Sequence, residues 1–281
     1  MTADVMPATC PNRILPRAMA HESSYPDAAR MPTRRQLLGM AGAVAALGLG
    51  GCAAPQSSPA ARGGIAPFST AEELGELPPG WEPYVLRRDL PRTDYRVSAL
   101  DGRRVLHAAS GTGGTSGLRC GCVGDPVATP KLRWSWQVAG VPDGLCVGER
   151  DTDDSPARVA LGFDGDHTTL NNRDRAFYEL VELFTGHRLP YATLMYVWDA
   201  RLPVGTVVSN ARTQRIRYLV VESGAARAGQ WLSYERDAAK DYQQVFGEEP
   251  GPLLNAGVLT DSDDLHIELQ AWYGDITLSA A

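Results

Sequence analysis

Six side chains carry most of the chemistry this sequence offers: Asp154, Arg158, Tyr196, Trp198, Glu222 and Asp261. Carboxylates accept hydrogen bonds from hydroxyls, and a guanidinium grips an anionic group through two parallel bonds. Aromatic rings add flat apolar faces. Gathered in one pocket, such groups make a ligand site of the kind that holds a saccharide. Two carboxylates from among Asp154, Asp164, Glu222 and Asp261, held about 5–9 Å apart across a cleft, would instead work as acid and base on a glycosidic bond. Each residue also has a plainer use. Arg158, Arg215 and Arg217 can pair the acids, and Tyr196 and Trp198 can be core.

Acids also cluster at Asp151, Asp153 and Asp154, and at Asp261, Asp263 and Asp264. Oxygen ligands one residue apart on a loop suit calcium, with Asp261, Asp263 and Asp264 as its ligands. The EF-hand glycine and distal glutamate are missing, and solvated turn acids are the alternative. No other cofactor is expected. There is no HExxH, GxSxG or Walker loop, so no catalytic residue is assigned. The run Gly111–Gly117 lacks a phosphate-loop lysine and reads as a hairpin loop.

The elements that must position these groups are mostly strands. Tyr95–Leu100 and Val105–Ala108 flank Asp101-Gly102, a hairpin turn pair. Leu132–Val138 alternates, with Leu132, Trp134, Trp136 and Val138 on one face, which is expected to be core. In 193–198, Tyr196 and Trp198 share a face opposite Met195 and Val197. Strands are also expected at 158–163, 204–208, 216–222, 253–260, 267–273 and 276–278. Two helices are expected: 172–184, with Phe177, Leu180, Val181 and Phe184 in register and Gly186 as stop, and 231–246, stopped by Gly247. The fold class is therefore mainly β: a single antiparallel β-sandwich, jelly-roll-like, with two helices packed at the rim.

The N-terminal part reads as an address. Arg34-Arg35 precede an uncharged run, 37–51, which ends at Leu49-Gly50-Gly51-Cys52. About 15 apolar residues are short for a membrane span and fit a removable signal core. The paired arginines resemble a twin-arginine export signal, and Leu-Gly-Gly-Cys resembles a bacterial lipobox. That resemblance implies a lipid-modified Cys52 as mature N-terminus. The divisions expected are an upstream extension at 1–30, a signal at 31–51, a Pro/Gly-rich tether at 52–65 and one domain at 66–281.

The chain has 281 residues and a net charge of −6, without the basic surplus of a nucleic-acid binder. The address places the protein in the bacterial cell envelope, lipid-anchored and facing periplasm or exterior. There Cys120, Cys122 and Cys146 have three readings: one disulfide from Cys146 to Cys120 or Cys122, plain buried thiols, or a metal site short of a ligand.

Several segments recur together in a bacterial family of unknown function, domain-of-unknown-function family 3047. They include Leu77-Pro78-Pro79-Gly80-Trp81, Asp154-Ser155-Pro156, Phe163-Asp164-Gly165-Asp166, Pro190–Trp198, Val220–Gly224, Phe246–Pro250, Thr260–Asp264 and Ala271–Ile276. The sequence resembles that family over nearly all of 66–281. The resemblance implies no activity and no catalytic residue. Gly80-Trp81 and Tyr273-Gly274-Asp275-Ile276 are also similar to galactose-binding-like jelly rolls, an analogy of fold alone. The expected function is non-catalytic binding of a ligand, a glycan or another envelope component. The alternatives are a carboxylate-based envelope glycoside hydrolase and a structural lipoprotein with a protein partner.

Overall fold

The computed structural model describes residues 64–85 and 87–281. The expectations for Arg34, Arg35, Cys52 and the divisions before residue 64 lie outside the described residues. Among the described residues, thirteen strands and two α-helices follow in chain order: β1 (Trp81–Tyr84), β2 (Asp94–Leu100), β3 (Arg103–Ser110), β4 (Gly117–Gly124), β5 (Lys131–Val138), β6 (Ser155–Phe163), α1 (Asn172–Thr185), β7 (Ala192–Asp199), β8 (Val207–Ser209), β9 (Ile216–Ser223), β10 (Leu232–Asp237), α2 (Ala238–Phe246), β11 (Leu253–Asp261), β12 (Leu269–Tyr273) and β13 (Thr277–Ser279).

The strands form two sheets. One runs β1-β4-β11-β6-β7-β9-β8 and the other β10-β5-β12-β3-β2, with β13 beside β5. Every pairing is antiparallel except β7 with β9, which is parallel. The sheets pack face to face as a sandwich. Inward side chains of β5 (Leu132, Trp134, Trp136) meet those of β6 (Val159, Leu161) and β7 (Leu194, Tyr196, Trp198) in one core. Ring centroids of Trp134 and Tyr196 lie 5.0 Å apart, and those of Trp136 and Trp198 6.3 Å apart.

Local chemistry accounts for the well-placed elements. Asp101 and Gly102 both have positive φ, 52° and 72°, so the β2–β3 turn is of the primed kind that matches strand twist. Asn171 caps α1 by accepting the Asp174 N–H, and Gly186 ends it at φ 70°.

Three expectations change. The helix expected from Trp231 begins only at Ala238, because Leu232–Asp237 pairs with β5, Leu232 opposite Trp136. Alternation over 232–236 outweighs the helical period there, and Asp237 then caps α2 by accepting the Lys240 N–H. The glycine run does not close a hairpin. It carries the chain from β3 in one sheet to β4 in the other, and Gly114 O accepts the Ser262 N–H. Cys120 and Cys122 are free and buried on the inner face of β4, so neither forms the disulfide expected with Cys146. Burial pushes the Cys122 thiol up to about 12, which leaves it inert near neutrality.

Candidate functional site

Strand alternation puts a second set of side chains on the outer face of the seven-stranded sheet. While Val159 and Leu161 enter the core, Arg158 and Ala160 point away from it. On β7 the outward positions are Thr193 and Met195, on β11 Asn255, Gly257 and Leu259, and on β9 Ile216 and Tyr218. These line the floor of a groove of about 1130 Å³.

Helix α1 forms one wall. Its first turn is tied beside β9, where Asp174 Oδ1 accepts from Thr213 Oγ1 at 2.7 Å and from the Gln214 N–H at 2.9 Å. Its last turn is tied beyond β1, where Arg88 Nη2 donates to Thr185 O at 3.0 Å. The helix therefore crosses the sheet face. Fourteen residues span about 21 Å, close to the roughly 24 Å of five strand spacings from β1 to β9. Phe177, Leu180, Val181 and Phe184, the residues of its apolar period, line the groove.

The opposite wall is charged and lies where β6 begins and β11 ends. Arg158 is 2% exposed at its centre. Its Nη2 lies 3.2 Å from Asp261 Oδ1 and its Nη1 3.5 Å from Asp153 Oδ1, while Nη2 also donates to Asp153 O. The Tyr218 ring covers the guanidinium at 5.1 Å. Asp153 Oδ2 accepts from Tyr218 Oη at 2.8 Å and from Asn210 Nδ2 at 3.1 Å. Asp154 is fully buried and accepts the N–H groups of Asp264 and Leu265, which folds the 261–265 loop against the start of β6. Arg150 and Arg212 stand exposed on this rim.

Burial sets the electrostatics. It raises Asp153, Asp154 and Asp261 above the ordinary carboxylate range, and Arg158 pulls back in all three. Burial would lower Arg158, but the carboxylates of Asp261 and Asp153 outweigh it and hold the guanidinium charged. Asp264 is pushed up to about 6, first by burial and then by the charges of Asp154 and Asp263.

The six residues expected to share a pocket divide into two groups. Asp154, Arg158 and Asp261 come together at the charged wall. Tyr196 and Trp198 do not join them. Both are 0% exposed in the core, with Tyr196 Oη donating to Asp241 and Trp198 Nε1 to Gly224 O. Side chains alternate along β7 as expected, with the aromatic side facing the second sheet and the Met195 side facing the groove. Glu222 is also elsewhere. It is buried, accepts from Tyr234 Oη of β10 at 2.9 Å and pairs with Arg227 at 2.8 Å. An acid–base pair of Asp154 and Glu222 therefore has no shared cleft. For a cation, carboxylate oxygens of Asp154, Asp261 and Asp263 lie within 4.8 Å of one another. Asp154 takes the place expected for Asp264, whose Oδ2 accepts the Asp153 N–H instead. Tyr218, Asn210 and the α1 wall were not expected at the site. The helical period of 177–184 was visible in sequence, but it reads equally as a core-facing stripe.

Solved structures offer remote likenesses only. The Family 11 carbohydrate-binding module of cellulosomal cellulase Lic26A-Cel5E of Clostridium thermocellum aligns at 8% identity and a TM-score of 0.38, over 79% of this chain and 96% of that one. The Emp47p carbohydrate recognition domain aligns at 8% identity and 0.38, over 78% and 95%. The glycoside hydrolase domain of Endo-D from Streptococcus pneumoniae R6 aligns at 11% and 0.28, over 71% and 21%. These likenesses are too remote to bear on what this chain binds. No curated protein matches the chain. Residues 79–277 match the model of a family described as a protein of unknown function (DUF3047), and the chain belongs to that family.

Proposed function

We propose that this protein binds a saccharide-bearing ligand of the bacterial cell envelope in the groove on the outer face of its seven-stranded sheet. The observation that carries the reading is the braced charged wall. Arg158, Asp153 and Asp261 are held by one another, by Tyr218 and by Asn210 before any ligand arrives. A preorganised wall loses little freedom on binding. Carboxylates, amides and the rim guanidinia of Arg150 and Arg212 offer the donors and acceptors that sugar hydroxyls require.

In this reading Arg34 and Arg35 direct export, and acylated Cys52 anchors the domain through the 52–65 tether. An anchored domain meets envelope ligands at high effective concentration, so modest intrinsic affinity suffices. The experiment is capture of the full chain on an isolated envelope polysaccharide fraction. Capture is expected to fall at least about tenfold in Arg212→Glu, which alters an exposed rim residue and leaves the fold intact. Undiminished capture in that variant would count against the groove. Absence of capture with retention of an envelope protein would favour the structural-lipoprotein reading.

A further inference from the structure

The groove is unequal from side to side, and that inequality limits what fills it. Across from the charged wall, α1 presents Leu180 at 52% and Phe184 at 72% exposure, with Leu183 beside them at 79%. Three of the seven large apolar side chains that the described residues expose thus sit within five positions of one helix. Single exposed apolar residues are ordinary, but Leu180 and Phe184, exposed together on a groove wall, mark a surface that something covers. Arg88 and Asp174 hold both ends of α1, which fixes Leu180 and Phe184 along the groove.

An unmodified polysaccharide is a poor cover. Hydroxyls turned toward Leu180, Val181 and Phe184 would give up water and find no donor or acceptor on those three side chains. An extended peptide has the same difficulty with its backbone amides. An alkyl chain has no such groups. Between the walls the floor sets apolar Ala160, Met195, Ile216 and Gly257 beside polar Thr193 and Asn255. From Gly162 to Arg158 it rises about 13 Å along β6.

We infer that the ligand is an amphiphile, with a polyhydroxylated head against Asp153, Asp263 and Arg212 and an alkyl chain along Leu180 and Phe184 of α1. The inference rests on the groove being the binding site.

The test uses the full chain and titration calorimetry with maltose and hexyl, octyl and decyl maltoside, each below its micelle concentration. A fully buried methylene tightens binding by about fourfold. The dissociation constant is expected to fall at least about twofold per added methylene. Leu180→Ser with Phe184→Ser should abolish that dependence while the melting temperature stays unchanged, since both residues are exposed. Chain-length dependence unaltered by these substitutions would place the alkyl chain elsewhere and overturn the inference. No dependence on chain length, with affinity still lost in Arg212→Glu, would overturn the amphiphile and leave the groove standing. Failure of every member to bind would overturn the amphiphile as well. Binding indifferent to both the α1 and the Arg212 substitutions would remove the groove itself.

Discussion

Arg158 and Asp261 form a buried ion pair, Nη2 to Oδ1 3.2 Å, with 2% and 9% of their side chains exposed. A pair this deep carries a desolvation cost that only mutual contact offsets, so removing one partner is worse than removing both. Arg158→Met is expected to destabilise the domain by about 3–5 kcal/mol, because Asp153 and Asp261 are left without their counter-charge. Adding Asp261→Asn should recover part of that loss in chemical denaturation. Additive losses in the double variant would show that the two side chains are not coupled.

Trp198 behaves as core. It is fully buried, its ring centroid lies 6.3 Å from that of Trp136, and its Nε1 is bonded to Gly224 O. Trp198→Ala should cost about 3–5 kcal/mol. Ligand affinity measured at a temperature where the variant is still folded should change little. A large, selective loss of binding at unchanged stability would move this residue back to the site.

The carboxyl of Asp264 gives a signed pH dependence. Its folded value, about 6, lies above the unfolded value near 4. The folded state therefore holds more protons between those limits, and stability falls as pH rises from about 4 to 6. Asp153, Asp154 and Asp261 are shifted in the same direction. Asp264→Asn should flatten the melting-temperature profile over this window and stabilise the protein at pH 7. A wild-type profile that rises through the window would contradict the assignment.

Cys52 follows an uncharged run closed by Leu49-Gly50-Gly51. Cys52→Ser is expected to abolish labelling by radioactive palmitate and to leave uncleaved precursor. Lysine at both Arg34 and Arg35 should hold the precursor in the cytoplasm. Full labelling in Cys52→Ser would refute the anchor.

Much of the fold was legible because its signals are local. The Asp101-Gly102 turn, the alternation of Leu132–Val138 and the stop at Gly186 each follow from backbone preference over a few residues. β4 was harder, since Gly117, Gly121 and Gly124 dilute its strand character. The Trp231–Phe246 stretch satisfied a helical period, yet pairing with β5 decided its first part.

The site was legible only by halves. Asp154, Arg158 and Asp261 stood out as charges at strand ends, and they do meet. Which face of β7 turns inward depends on where the second sheet lies, and alternation alone carries no such information. The course of α1 across the sheet depends on Arg88 and Thr213, contacts 97 and 39 residues distant in sequence.

The central claim is a location: the ligand lies on the outer face of the seven-stranded sheet. Hydroxyl-radical footprinting of the full chain, with and without decyl maltoside, tests it residue by residue. Protection is expected at Phe177, Leu180, Phe184, Met195 and Tyr84, which line the groove. His107 and Trp272, stacked at 5.2 Å on the outer face of the other sheet, should react equally in both samples. Protection of His107 and Trp272 with the groove residues unchanged would contradict the account.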